Sequence, residues 1–299
     1  MKLTANASAL AGSKPTKRLS WHRILRIPLL YLITIVLSAL FMAPFLWTVL
    51  SSLKSPWEMY AFPPILIPTV PQWGNYYEAL VLFPFGQWFL NTVVVVILGT
   101  AGLLISSSLV AYGFARFDFR FKNFIFVLTL ATLMLPDQVT LIPRFILFYR
   151  LDWIDSLKPL WVPFWFGGTA FAIFLMRQFI MSVPRELDEA AVVDGASYFR
   201  VFWNIVIPLC KPALATLAII AAISAWNNFM EPLVYLNSTE KFTLSVGLRY
   251  FHANPVAGDR PLGHLLMAAS VATILPPIIL FFAFQRYFVQ GVALTGLKG

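Results

Sequence analysis

The residues with most capacity for chemistry lie between Pro184 and Pro212, the longest polar island in the second half of an apolar chain. They read Pro-Arg-Glu-Leu-Asp-Glu-Ala-Ala-Val-Val-Asp-Gly-Ala-Ser-Tyr-Phe-Arg-Val-Phe-Trp-Asn-Ile-Val-Ile-Pro-Leu-Cys-Lys-Pro. Glu186, Asp188 and Glu189 are acids grouped where a helix would begin, near the positive end of its dipole. No Ser/His/Asp arrangement or paired carboxylate stands out inside an apolar segment, and no G-x-x-x-x-G-K-[ST] run is present to cradle a nucleotide. His22, His252 and His264 are far apart and lack a Cys/Asp/Glu ligand pattern, so a metal site is not expected. Cys210 is the single cysteine, which excludes an intrachain disulfide and suits packing beside Lys211.

The elements that must position this island are set by its spacing. Pro184 suits the first helical position, where its missing N–H costs nothing. Leu187, Ala190, Ala191 and Asp194 recur at helical spacing and make one face, small enough for another chain to approach closely. Gly195 fits the left-handed residue that ends a helix, and Ser197 can cap a second one. Phe199, Phe202, Trp203 and Val206 repeat the spacing with bulky groups, and Pro208 and Pro212 break or kink the chain beyond them. The unit predicted is helix, glycine turn, helix, displayed between two apolar segments.

Those segments decide the class. The chain has 299 residues, is 59% hydrophobic and 12% charged, and has a mean hydropathy of +0.77, whereas soluble domains are about a quarter charged. It reads as an all-α polytopic membrane protein. Six segments reach the about 20 residues needed to span a bilayer: about 27–50, 88–112, 123–147, 159–180, 209–232 and 264–288. The first is too long for a signal-peptide core and is read as an uncleaved helix. Gly99, Gly102 and Ser106 make a small face on the second, Pro136 and Pro143 are expected to kink the third, and Gly167-Gly168 lies in the fourth. Residues 52–86, rich in Pro, Trp and Tyr, suit an external segment partly lying on the membrane.

The formal charge of +9 could suggest nucleic acid, but the distribution of basic residues gives a better account. With the amino terminus inside, 15 of the 22 Lys and Arg fall on inner segments and 7 on outer ones. That bias satisfies the positive-inside rule and puts residues 184–208 and both termini in the cytoplasm. The span centres are almost free of charge; Glu231, at the outer end of the fifth, is the nearest exception. This disfavours an ion-coupled secondary transporter, which usually carries an ionisable group at membrane depth. An intramembrane enzyme is disfavoured by the missing catalytic constellation.

Glu189-Ala190-Ala191, three residues, Gly195, nine residues, Ile205, two residues, Pro208 resembles the EAA loop of ABC importer permeases. The run from Asp188 to Ala215 is similar to the carbohydrate-importer branch, the second permease of the maltose type. Ala111-Tyr112 with Ala115-Arg116-Phe117, then Pro136, Gln138 and Pro143, then Trp226-Asn227-x-Phe229-x-x-Pro232-Leu233, resemble successive segments of that family. So does the end of the chain from Gln285 to Gly291 and from Gly296 to Gly299, with Leu294-Thr295 a small departure.

The resemblance implies a type I ABC importer permease fold with six transmembrane helices, in a prokaryotic inner membrane. It implies a basic tail at 1–27, a first helix and external segment at 28–86, a permease core at 87–288 and a cytoplasmic tail at 289–299. It also implies a non-catalytic subunit that binds no cofactor, with ATP and magnesium on a partner ATPase dimer. Glu189, Ala190, Ala191, Asp194, Gly195, Ile205 and Pro208 would couple to that ATPase. A second homologous permease, an extracytoplasmic sugar-binding protein and membrane lipid complete the expected partners. The pathway would lie between the two permeases and alternate between outward and inward openings. Asn91, Thr92, Trp226, Asn227 and Asn228, polar or aromatic groups at span ends, could face a sugar; the alternative is helix–helix hydrogen bonding. Cargo of another kind within the family (glycerol phosphate, amino acid or peptide) is the runner-up.

Overall fold

The computed structural model describes residues 21–253 and 261–296, with side-chain surroundings from 27 to 252 and from 261 to 284. Residues 1–20 of the basic tail and the side chains of the carboxyl-terminal motif lie outside that range, while the last residues of the expected tail already belong to a helix that begins at Trp21. All regular structure among the described residues is helical. The chain divides between Trp47 and Thr48 into two compact units.

The first unit contains most of α1 (Trp21–Ser52). Residues 27–44 are exposed throughout, so a span of this hydropathy carries its apolar surface on the outside, where lipid or another protein covers it.

The second unit begins with α2 (Pro56–Met59) and α3 (Gly74–Val81). The buried Glu58 carboxylate organises the loop between them. It accepts the Ser55 N–H and hydroxyl at 2.9 and 3.0 Å and the Thr69 N–H and hydroxyl at 2.9 and 2.5 Å. Those bonds, the Thr69 hydroxyl foremost, hold its pKa down to about 2. Trp57, Tyr60, Phe62 and Trp73 of the same segment are exposed.

α4 (Phe85–Arg116) is the axis of the unit. Next come α5 (Lys122–Ala131), a 3-10 turn at Thr132–Met134 and α6 (Asp137–Arg150). α7 (Lys158–Trp161) and a 3-10 turn (Val162–Trp165) lead through Gly167 and Gly168 into α8 (Ala170–Ser182). The small face of α4 does what its spacing predicts. Gly102 lies against the Trp165 indole, where any Cβ would overlap the ring, and Trp165 Nε1 donates to the Leu98 carbonyl at 3.1 Å. Ser106 Oγ donates to the Phe164 carbonyl at 2.7 Å.

The loop helices α9 (Glu186–Val193) and α10 (Tyr198–Val201) continue through a π turn (Phe202–Val206) into α11 (Ile207–Leu209). α12 (Lys211–Asn227), α13 (Met230–Tyr235), α14 (Leu244–Ala253) and α15 (Gly263–Gly296) complete the chain.

Among the described residues, four segments are long and apolar enough to cross a membrane: Ile27–Ser52, Phe85–Arg116, Lys158–Ser182 and Gly263–Phe284. The count reaches six with two bent pairs, Lys122–Met134 with Asp137–Arg150 at 101° and Tyr198–Leu209 with Lys211–Asn227 at 77°. The expected third span is therefore not one kinked helix but two helices separated at Leu135-Pro136. Leu135 and Pro136 are both extended, because a residue before proline avoids the helical region and proline itself offers no donor. Pro143, by contrast, sits inside α6 without ending it.

Candidate coupling loop and solute cavity

The 184–208 unit folds as a helix, a glycine turn and a second helix. α9 starts at Glu186, two residues after Pro184, with Arg185 as its N-cap; proline at the first helical position is thus not observed. Arg185 instead spends its guanidinium on the Ala115 carbonyl at 3.2 Å. At the other end the Ala196 N–H reaches the Ala191 carbonyl at 2.9 Å and the Gly195 N–H the Val192 carbonyl at 3.0 Å. These are the two bonds of a Schellman motif. Gly195 has φ +86°, and a Cβ there would meet nothing within 4 Å, so the need for glycine comes from the backbone alone. The Ser197 hydroxyl caps α10 by accepting the Arg200 N–H at 3.3 Å.

Only part of the bulky stripe in the second helix is buried. Phe202 and Val206 enter a core with Met176, Ile180 and Cys210, whereas Phe199 and Trp203 are exposed. The π turn lies between. Pro208 has no N–H and its ring would crowd the Asn204 carbonyl, and the helix answers by widening, with the Ile207 N–H bonded to the Phe202 carbonyl.

Beneath the unit is an ion pair that no sequence pattern joins. Arg116, the last residue of α4, places Nε 2.5 Å from Asp188 Oδ2, with side chains only 6% and 12% exposed. Its Nη2 donates to the Val183 carbonyl at 3.0 Å. Tyr112, one turn earlier, packs its ring on Phe202 at 5.1 Å. α9 is thereby riveted to the end of α4, while its other faces stay open. Glu189, Ala190, Asp194, Gly195 and Pro208 are exposed and Ala191 and Ile205 half-buried. Leu187, Val193, Tyr198, Phe199 and Trp203 add a bulky apolar display around them.

At the opposite end of the spans, α6, α7 with the 3-10 turn after it, the Gly168-Thr169 segment, α12 and α13 line a cavity of about 650 Å³ with mixed polar and apolar walls. Gln138, Arg144, Asn227, Asn228 and Glu231 contribute to its lining. Arg144 Nη1 and Glu231 Oε1 are 2.6 Å apart, and Glu231 Oε2 accepts the Asn228 Nδ2 amide at 2.8 Å. Arg144 also donates to the Asp137 carbonyl at 3.4 Å. A knot of loops keeps α6 and α13 side by side. Asp155 accepts the Asn237 and Ser238 N–H groups at 2.9 and 2.8 Å, the Ser238 hydroxyl at 2.5 Å and the Lys241 ammonium at 3.0 Å. Burial alone would raise its pKa, but these donors, led by the Ser238 hydroxyl, hold it well below the ordinary carboxylate range.

The five residues singled out from sequence as facing a solute separate into two groups. Asn227 and Asn228 line the cavity. Asn91, Thr92 and Trp226 are buried elsewhere. Asn91 Nδ2 donates to the Glu240 and Phe242 carbonyls at 2.8 and 2.9 Å, Thr92 Oγ1 accepts the Leu244 N–H at 2.9 Å, and Trp226 Nε1 donates to the Thr273 carbonyl at 3.2 Å. Arg144 and Glu231 belong to the cavity without having been among the five. They lie 87 residues apart, and one-dimensional periodicity carries no signal for such a pair.

Comparison with known proteins gives a concordant result. Residues 104–294 match the family described as "Binding-protein-dependent transport system inner membrane component". The arabinooligosaccharides transport system permease protein AraQ of Bacillus subtilis (strain 168) is 37% identical over 276 residues, covering 90% of this chain and 95% of its own. The sn-glycerol-3-phosphate transport system permease protein UgpE of Pectobacterium atrosepticum is 36% identical over 241 residues, covering 79% and 84%. Among solved structures, a bacterial ABC transporter involved in the import of the acidic polysaccharide alginate has a chain that superposes with a TM-score of 0.78 at 27% identity. The match covers 89% of this chain and 97% of that one.

Proposed function

We propose that this chain, which belongs to the family of binding-protein-dependent transport system inner membrane components, moves a sugar or oligosaccharide across a prokaryotic cell membrane. It is a multi-pass permease of the ABC importer type. In this reading it is one of two permease subunits flanking the pathway. An extracytoplasmic binding protein delivers the solute, and a cytoplasmic ATPase dimer, holding ATP and magnesium, drives the cycle. The chain itself performs no hydrolysis and binds no cofactor. The excess of Lys and Arg on the segments joined to the 184–208 side supports a cytoplasmic location for that loop and for both termini. The arabinooligosaccharide relative supports sugar as cargo, and so does a cavity lined with amides that can both donate to and accept from hydroxyl groups.

The observation that carries coupling is the loop anchored by Asp188 on one side and open on the other. Glu189 offers a carboxylate to basic groups on the ATPase, a charge-assisted bond of about 1.5–3 kcal/mol when buried. Ala190, Ala191 and Asp194 keep that side low enough for close approach. Gly195 sets the turn, and Ile205 and Pro208 hold the second helix.

Ala190→Trp tests this, because the side chain would stand in the docking surface and away from the solute cavity. At matched membrane abundance, ATPase co-purification, sugar-stimulated ATP hydrolysis and uptake are expected to fall together. Survival of all three would refute docking through this loop.

A further inference from the structure

The relatives leave the charge of the cargo open: arabinooligosaccharides are neutral, whereas glycerol 3-phosphate and alginate are anionic. The cavity bears on that choice. Arg144 is the only cation among the described residues lining it, and Asp137 and Glu231 are its two carboxylates. Glu231 lies 2.6 Å from Arg144, and Asp137 Oδ1 is 4.0 Å from the same guanidinium. Both Glu231 oxygens are engaged, one by Arg144 and one by Asn228. The guanidinium is thus already neutralised, and the lining as a whole is one charge negative. An anion entering here would have to displace Glu231 from Arg144 while remaining beside two carboxylates. A hydroxyl-rich neutral solute meets no such barrier, because Gln138, Asn227, Asn228 and Thr169 offer it donors and acceptors. A volume of about 650 Å³ is within the range of ordinary small-ligand sites.

We infer that the Arg144–Glu231 pair is a charge filter in the solute path, admitting neutral polyhydroxyl solutes and turning away phosphate esters and uronates. The inference rests on the proposed importer role and on this cavity lying on the path. Selectivity is built by pre-empting the cation that a wrong cargo would use.

The test is retention of radiolabelled glycerol 3-phosphate, glycerol and arabinotriose in equilibrium dialysis. It uses the assembled transporter without its binding protein. The wild-type complex should retain glycerol 3-phosphate no better than glycerol. Glu231→Gln frees Arg144 and should raise glycerol 3-phosphate retention at least tenfold relative to both neutral probes. Arg144→Gln/Glu231→Gln should abolish that gain, and Glu231→Asp should behave as wild type, which separates charge from misfolding. Retention of glycerol 3-phosphate above glycerol by the wild type, or no gain in Glu231→Gln, overturns the filter. ATPase co-purification is scored on the same preparations. A complex that assembles but prefers the phosphate ester defeats the filter and leaves the importer reading standing. A wild-type chain that never brings down an ATPase defeats the importer reading itself.

Discussion

The Arg116–Asp188 pair offers the sharpest quantitative test of how the loop is fastened to the spans. The two charges meet at 2.5 Å with side chains 6% and 12% exposed, so solvent screens them little. Removing one partner of such a pair strands the other in a poorly hydrated place and costs about 3–5 kcal/mol. Asp188→Ala should therefore shift the unfolding equilibrium by at least roughly two orders of magnitude, since each 1.4 kcal/mol is about tenfold. Replacing both groups by apolar ones of similar length removes the desolvation cost along with the attraction. Arg116→Met/Asp188→Leu should therefore recover most of the loss. The assay is reversible unfolding in mixed detergent micelles across the full double-mutant cycle. ATPase co-purification and sugar uptake are measured on each variant. The double variant is expected to fold and to bring down the ATPase, but to lose uptake, because α9 is no longer held at one angle to α4. A loss under about 1 kcal/mol for Asp188→Ala, or single effects that add to within about 0.5 kcal/mol in the double, would refute the rivet.

Three further outcomes are expected. Gly195→Ala places a side chain at φ +86° with empty space around it, so it should cost on the order of 1 kcal/mol, and Gly195→Pro should cost more and uncouple transport at matched abundance; an unchanged stability for the alanine variant would show that the turn is not strained. The Glu58 pKa is depressed to about 2 from an ordinary 4.5, so its bonds to Ser55 and Thr69 contribute fully above about pH 4.5 and are lost as pH falls through 2. Protection of the amides across 55–69 should therefore decline progressively as pH falls from about 4.5 to about 2, whereas Glu58→Gln should leave it low across that range. Reporter fusions at Lys54 and Leu151 should report outside and those at Lys122 and Ser197 inside, and reversal at any one would overturn the six-span topology.

The features written locally along the chain are legible in the sequence. The turn at Gly195, the Ser197 cap and the small face of Gly99, Gly102 and Ser106 all depend on neighbours a few residues away or on one helix surface, and periodicity reports such features directly. The third span is legible in place but not in shape, because a proline fixes where a helix is interrupted without fixing the angle of the helix that resumes. The ion pairs escape for a different reason. Arg116 with Asp188 and Arg144 with Glu231 each join two helices whose relative rotation is set by packing, and no local pattern encodes that rotation. Asn91 shows the reverse difficulty. A polar residue at a span end looks the same in sequence whether it meets a solute or clamps the 240–242 backbone, and here its amide is spent on the clamp.

The widened turn at Phe202–Val206 has a consequence for how the loop can change over time. A π turn accommodates one residue more than the α-helix around it, and each residue of an α-helix advances the phase by about 100°. Because the widened turn takes up that extra residue, deleting a single residue between 202 and 206 would let the helix close to regular winding with α10, and its Phe199 and Tyr198, still at nearly the same phase. The same deletion in a regularly wound stretch would instead rotate everything beyond it by that angle and present a different side of the loop to whatever docks there. The π turn is thus the one place in this helix where chain length can change by a residue while the direction of the docking surface is kept.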